Sequence, residues 1–156
     1  MKRKEKKKIC LISSSGGHFE QLMKLDLIKK NYSTIVITEK TKYNHKNKDI
    51  NHFLVQINRT SIFWIFPFIL DVILSIFFFI KEKPSHIIST GALCCLPIII
   101  IGKFFGKKII FIESFAKIKT PTKTGQFVYK IADVFIVQWE YLEKYYPKAL
   151  CFGGIY

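Results

Sequence analysis

The chain has 156 residues, with 25 Lys and Arg against 11 Asp and Glu, and 15 of its residues are Phe. That length suits one domain large enough to bury a core. The charge calls for an anionic partner. The aromatic residues sit in long apolar runs rather than among basic residues on a polar face, which argues against nucleic acid and for an anionic membrane surface or a phosphorylated lipid.

Met1 to Lys8 is a basic arm, and residues 9–156 are expected to form the single domain. Ile9 to Ile12 is too short for the apolar stretch of a signal peptide. The arm reads either as a solvated tail or as a contact to anionic headgroups, worth roughly 1 kcal/mol per basic residue near the surface. Lys8 to Ile12 has the pattern of a buried strand, and Phe19 to Lys30 that of a helix with Leu22, Leu25, Leu27 and Ile28 on one side. Between them lies Ser13-Ser14-Ser15-Gly16-Gly17-His18. A strand, a turn of small residues and a helix present backbone N–H groups to an anion. The plain alternative is an ordinary βα turn, which also favours Ser and Gly.

Ser33 to Glu39 is a second strand, rich in β-branched residues. Glu39 ends it where a dinucleotide-binding domain has its ribose-binding acid, but the three-glycine fingerprint that should precede it is absent. Thr41 to Asn51 reads as a polar surface loop, Phe53 to Ile57 as a third strand, and Asn58-Arg59-Thr60-Ser61 as a turn able to cap the next helix.

Ile62 to Ile80 is almost wholly apolar. As a helix it would be about 28 Å long, close to the ~30 Å hydrocarbon core of a bilayer. Asp71 near its middle costs roughly 2.5–3.5 kcal/mol to insert, and Pro67 removes a backbone bond. Strands precede and follow this helix, so a spanning helix would divide them between two sides of the membrane. The expectation is a crossover helix whose outer face, with Trp64, Phe68, Phe77 and Phe78, meets the membrane interface. Asp71 is read as a polar helix-face residue rather than a catalyst.

Lys81 to Pro84 stops that helix, Ser85 to Ser89 is a fourth strand, and Thr90-Gly91-Ala92 a second turn of small residues. Cys94 to Phe105 is an apolar helix with Pro97 in its first turn. Lys108 to Glu113 is a fifth strand that delivers Glu113-Ser114 to a strand end. Ala116 to Gln126 is a basic loop (Lys117, Lys119, Lys123) suited to an anionic ligand. Phe127 to Ala132 is a short helix, Asp133 to Val137 a sixth strand ending at Gln138-Trp139, and Tyr141 to Tyr146 a last short helix. Leu150-Cys151-Phe152 precedes Gly153-Gly154. The cysteines Cys10, Cys94, Cys95 and Cys151 form no C-x-x-C pair and read as free thiols, so no metal site is expected. His45, His52 and His86 belong to no constellation.

Alternating strands and helices give an α/β, Rossmann-like open parallel sheet with helices on both faces. In such sheets ligands bind beyond the carboxyl ends of the strands. The loops after strands one, four, five and six emerge there and carry Ser13 to His18, Thr90-Gly91, Glu113 to Lys123 and Gln138-Trp139-Glu140. One rim holds every distinctive polar residue.

Three stretches resemble the Alg14 family: Ser14-Ser15-Gly16-Gly17-His18, then Pro84 to Gly91, then Ile110 to Lys119 followed by Ala132 to Trp139. The last pair matches the family pattern I-E-S, a basic loop, then D-x-F-x-V-Q-W. The chain looks like the bacterial members of capsule and exopolysaccharide clusters (CpsF-like and PssD-like). Eukaryotic members carry an N-terminal membrane anchor, whereas this chain has only the basic arm, so attachment is expected elsewhere, at the Ile62 to Ile80 helix.

The resemblance implies the N-terminal, acceptor-side half of a GT-B glycosyltransferase similar to MurG. A separate Alg13-like chain would supply the nucleotide-sugar domain. The acceptor would be a sugar on polyprenyl diphosphate, met at the cytoplasmic face of the bacterial plasma membrane. The donor would be UDP-linked and held mainly by the partner, so this chain would carry no cofactor and be inactive alone. Ser14, Ser15, Gly16 and Gly17 would cradle the acceptor diphosphate, with Thr90, Gly91, Ser114, Lys117 and Lys119 around it. His18 would bind that diphosphate or act as general base, since an imidazole exchanges protons near neutral pH, or it is a helix-start residue without chemistry. Glu113 would be a base or orient the loop, or it is a buried carboxylate paired with Lys117. Gln138 and Trp139 contact the sugar or the partner, or are core. The competing function is a non-catalytic membrane scaffold that stimulates a partner transferase.

Overall fold

Runs of Ile, Val, Phe and Thr form seven short strands: β1 (Lys8–Ser13), β2 (Ser33–Glu39), β3 (His52–Leu54), β4 (His86–Gly91), β5 (Lys108–Ile112), β6 (Val134–Val137) and β7 (Leu150–Cys151). The computed structural model describes residues 7–58 and 60–155, so most of the basic arm and Arg59 lie outside the described residues. The strands make one sheet in the order β3-β2-β1-β4-β5-β6-β7, every pair parallel. The helices are α1 (Gly17–Met23), α2 (Asp26–Asn31), α3 (Ile65–Glu82), α4 (Leu96–Phe104) and α5 (Lys123–Val128).

Both faces of the sheet are buried, as a parallel sheet requires. On β1 and β2, Cys10, Ile12, Ile35 and Ile37 point to one core, which Phe78, Phe79, Ile98, Ile99 and Val128 of α3, α4 and α5 complete. Ile9, Leu11 and Val36 point to the other, closed by Phe19 and Leu22 of α1. The architecture is the Rossmann-like open sheet expected from the alternation of strands and helices. Its chain order reverses between β1 and β4, which creates the crevice where such sheets bind ligands.

Several boundaries differ from the sequence expectation. The helix read over Phe19 to Lys30 breaks in two at Leu25, whose φ of −77° and ψ of 51° leave the helical region. Leu27 consequently faces solvent, 74 % exposed, while Leu22 is buried. The third strand stops at Leu54, because the Val55 N–H turns from the ladder to donate to Asp71 Oδ1 at 2.7 Å. Thr90-Gly91 is the end of β4 rather than a separate turn, and a 3-10 turn at Leu93–Cys95 precedes α4. The helix of the basic loop starts four residues early, at Lys123, because Thr122 caps it by accepting from the Gly125 N–H at 2.8 Å. Leu150-Cys151 adds a seventh strand that was not anticipated.

α3 keeps Pro67 in its first turn, where the missing N–H is tolerated. Helical periodicity turns Asp71, Ser75, Phe78 and Phe79 toward the sheet. Phe78 is therefore not membrane-facing: it is buried, with its ring stacked 4.3 Å from His52. Trp64 and Phe68 are half-buried, with ring centroids 6.1 Å apart. Of the four aromatic residues expected outside, Phe77 alone is more exposed than half-buried; it shares that face with Phe66, Ile69, Leu70, Ile73, Ile76 and Ile80. Phe104 and Phe105 at the end of α4 extend the apolar surface. Among the described residues no helix is long and apolar enough to cross a membrane.

Candidate functional site at the switch point between β1 and β4

Ser13 pairs with Gly91 after a register shift that follows Ile12, so the two strands end side by side. Ser14 is nearly buried, and its N–H donates to the Gly91 carbonyl at 3.4 Å. Gly16 then turns the chain with φ 76° and ψ −140°, a conformation that favours glycine, and its carbonyl accepts the Glu20 N–H at 3.0 Å to start α1. Gly16 and Gly17 are exposed, and a Cβ at either would meet nothing within 4 Å. The crest of the loop is open to a ligand.

Ser15 is placed differently from the expected cradle. Its N–H and hydroxyl both lie near Glu39 Oε2, at 3.4 and 3.5 Å, and Glu39 Oε1 accepts the Ile57 N–H at 3.3 Å. Glu39, buried at the end of β2, thus braces the loop from behind. This accounts for its position without a ribose.

His18 lies across the end of β4. Its Nδ1 is 2.6 Å from the Thr90 carbonyl oxygen, and the Thr90 hydroxyl donates to the His18 carbonyl at 2.7 Å. A carbonyl only accepts, so Nδ1 carries the hydrogen, and in the neutral ring the lone pair is then on Nε2. Nε2 has no hydrogen-bond partner among the described residues. The backbone of Gly91, at φ 116°, makes room for the ring: a Cβ there would lie 3.2 Å from His18 Cε1. Thr90 and Gly91 therefore orient the imidazole from the neighbouring strand.

Glu113 sits on the other half of the rim, 1 % exposed. Oε1 accepts from the Ser114 N–H at 2.9 Å, and both oxygens take the Thr122 hydroxyl, at 2.9 and 3.1 Å. Oε2 also accepts the Thr122 N–H at 3.2 Å and the Tyr146 hydroxyl at 2.7 Å. Burial first, and then the hydrogen bond to Glu113, push the Tyr146 hydroxyl far up. Glu113 clasps the loop between β5 and α5, with Thr122 and Tyr146 as partners rather than Lys117. These contacts fit the reading in which Glu113 orients the loop. Ser114 is buried in the same clasp, and its carbonyl accepts the Lys117 N–H at 3.0 Å. The side chains of Lys117 and Lys119 are exposed and join no ion pair among the described residues.

Gln138 is buried, and both ends of its amide are used. Nε2 donates to Gln21 Oε1 at 3.0 Å and to the Glu113 carbonyl at 2.8 Å, while Oε1 accepts the Ile155 N–H at 3.0 Å. It ties α1, the loop after β5 and the C-terminal stretch together. Trp139 donates from Nε1 to the Phe115 carbonyl at 2.7 Å and packs on the Phe115 ring at 4.9 Å. Its other side borders a cleft of about 670 Å³ shared with Ile118, Tyr141 and Phe152. The structure brings Ser14 to His18, Thr90 and Gly91 together at the switch point; Glu113, Ser114, Gln138 and Trp139 form a second group on the rim. Gln21 links the two. Sequence reasoning passed over Gln21, although a lone amide between Phe19 and Leu22 on a buried helix face was a signal.

Comparison with known proteins bears on the family and the fold. Residues 9–155 match the family described as oligosaccharide biosynthesis protein Alg14 like. A protein of Candida albicans named UDP-N-acetylglucosamine transferase subunit ALG14 is 28% identical over 178 aligned positions, covering 96% of this chain and 81% of that protein. The human protein of the same name is 32% identical over 81 residues, covering 48% of this chain and 38% of its own length. The match thus spans well under half of that human relative. Among solved structures, a UDP-N-acetylglucosamine 2-epimerase from Rickettsia bellii superposes with a TM-score of 0.74 at 14% identity, covering 96% of this chain and 45% of that one. MurG of Acinetobacter baumannii gives a TM-score of 0.69 at 13% identity, covering 86% and 42%. At such identities the likeness is one of fold: this sheet corresponds to less than half of each larger chain.

Proposed function

The chain belongs to the Alg14-like family of oligosaccharide biosynthesis proteins, and from that premise we propose that it is the acceptor-binding subunit of a two-chain glycosyltransferase. The acceptor is a sugar on polyprenyl diphosphate. The donor is a UDP-sugar held by an Alg13-like partner, so that neither chain is active alone. The relatives' name, a UDP-N-acetylglucosamine transferase subunit, supports the donor class. The setting is capsular or exopolysaccharide assembly at the cytoplasmic face of a bacterial plasma membrane, with the exposed apolar face of α3 resting in the membrane interface.

The observation that carries the proposal is the His18 tautomer. With Nδ1–H held by the Thr90 carbonyl, the neutral ring keeps the Nε2 lone pair for use as a proton acceptor, which supports the reading of His18 as the base. In the transfer, an acceptor hydroxyl oxygen bonds to the anomeric carbon of the donor, and the bond from that carbon to the nucleoside diphosphate breaks, its electron pair leaving with the diphosphate. Nε2 takes the hydroxyl proton as the oxygen attacks. The exposed crest at Gly16 and Gly17 receives the acceptor diphosphate, with Lys117 and Lys119 supplying positive charge. Glu113 and Gln138 keep the rim in shape and touch no substrate.

The test is sugar transfer from labelled nucleotide sugars to lipid-linked acceptor in membranes, with this chain, its partner, and both together. Transfer only with both chains, lost in His18→Ala, is the expected result. If the partner works alone and the His18→Ala chain still stimulates it, the protein is a scaffold and the proposal fails.

A further inference from the structure

We propose that an apolar slot beside the His18 site holds the phosphate-proximal part of the acceptor's prenyl chain; this rests on the acceptor reading above. The slot has a volume of about 390 Å³ and is lined by Trp64, Leu93, Leu96, Lys123 and Thr124. That volume lies within the usual range for small-molecule sites. Its walls come from three places that meet only in the folded chain: the leading end of α3, the 3-10 turn and first turn of α4, and the first turn of α5.

Its position follows from chain connectivity. Leu93 stands two residues beyond Gly91, against which the His18 ring packs. Ala92 between them has φ 84°, a conformation costly for a residue with a Cβ and one that clusters at ligand clamps. That residue turns β4 away from the His18 site and into the slot wall. On the opposite side, Lys123 and Thr124 follow Thr122, the residue clasped by Glu113. The slot is thus fastened to both halves of the rim.

Its chemistry selects the occupant. Trp64, Leu93 and Leu96 offer hydrocarbon and an aromatic face, and the polar groups among these lining residues are the Lys123 ammonium, the Thr124 hydroxyl and the Trp64 indole N–H. A peptide would bring N–H and C=O groups that need partners, and these walls supply too few. A hydrocarbon chain needs none. The exposed Lys123, with Lys117 and Lys119 on the same loop, complements the diphosphate at the chain's head. Phe63 and Phe66, exposed beside Trp64, continue the apolar path outward along α3.

The chain has two tryptophans, so a Trp139→Phe background leaves Trp64 as the sole reporter. Farnesyl diphosphate, inorganic diphosphate and the straight-chain dodecyl diphosphate are titrated by fluorescence and calorimetry. Farnesyl diphosphate is expected to shift Trp64 emission to the blue and saturate, while inorganic diphosphate binds without moving it. Leu96→Gln and, separately, Leu93→Gln should weaken farnesyl diphosphate at least tenfold and leave inorganic diphosphate unchanged. Farnesyl diphosphate binding by calorimetry with Trp64 silent and both variants neutral overturns the slot but keeps the acceptor reading. An equal response to dodecyl diphosphate overturns the prenyl assignment. If no diphosphate binds, the acceptor reading falls and the slot with it.

Discussion

His18 and Gly91 form a pair in which the proposed base sits in the space that a glycine leaves. Gly91→Ala places a Cβ 3.2 Å from His18 Cε1 on a backbone at φ 116°. It should destabilise the fold by about 1–3 kcal/mol and lower transfer by displacing the ring, read as a drop in both urea midpoint and turnover. Asp71 gives a second prediction. It is fully buried under α3, Oδ1 accepts the Val55 N–H, and Oδ2 has no partner among the described residues. Burial raises its carboxyl to about 7; the Val55 N–H works against the rise and the charge of Glu39 adds to it. An unfolded Asp titrates near 3.9, so the folded protein holds a proton that the unfolded chain releases between about pH 4 and pH 7. The stability from that neutral carboxyl is complete below about pH 4 and is lost as pH rises to 7. Asp71→Asn should therefore match the wild type near pH 4 and exceed it at pH 8 by roughly 4 kcal/mol, about 1.4 kcal/mol for each of some three pH units. Urea midpoints that run parallel across that range would contradict this.

At the scale of elements, adjacent residues of α3 do opposite things. Phe77 is 58 % exposed and Phe78 is 7 % exposed. Phe78→Ala should cost about 3–5 kcal/mol of stability and leave intrinsic membrane affinity alone. Phe77→Ser with Ile73→Ser should keep the thermal midpoint and weaken flotation on anionic vesicles several-fold. The two outcomes exchanged would reverse the assigned faces. The sequence made the existence of α3 plain but not its facing, because an almost uniformly apolar run gives no polar stripe to set the phase. Only Asp71 and Ser75 marked the inner side, and polarity pointed the wrong way: they are buried. The strands β1, β2, β4, β5 and β6 were legible from β-branched runs, and the rim from Ser, Gly and Thr at their ends. Leu150-Cys151 was not, since two residues carry no periodicity and β7 exists only because β6 offers it an open edge. The break at Leu25 was hidden by leucines that suit one long helix equally well. The partners of Glu113 were also hidden, as Thr122 and Tyr146 are 9 and 33 residues away in sequence.

At the scale of the whole molecule, the sheet places three surfaces around one edge. The crest at Gly16 and Gly17 meets His18 at the topological switch point, the basic loop of Lys117 and Lys119 stands across the rim, and the apolar face of α3 runs down one side. A diphosphate with a sugar on one end and a prenyl chain on the other fits that arrangement. The most direct measurement is steady-state transfer by the proposed two-chain enzyme, comparing wild type with His18→Gln as acceptor concentration is varied. A base at Nε2 requires kcat to fall by about 10²–10⁴-fold while the KM for the lipid acceptor stays within a few-fold. An unchanged kcat, with or without a raised KM, would contradict the role given to His18.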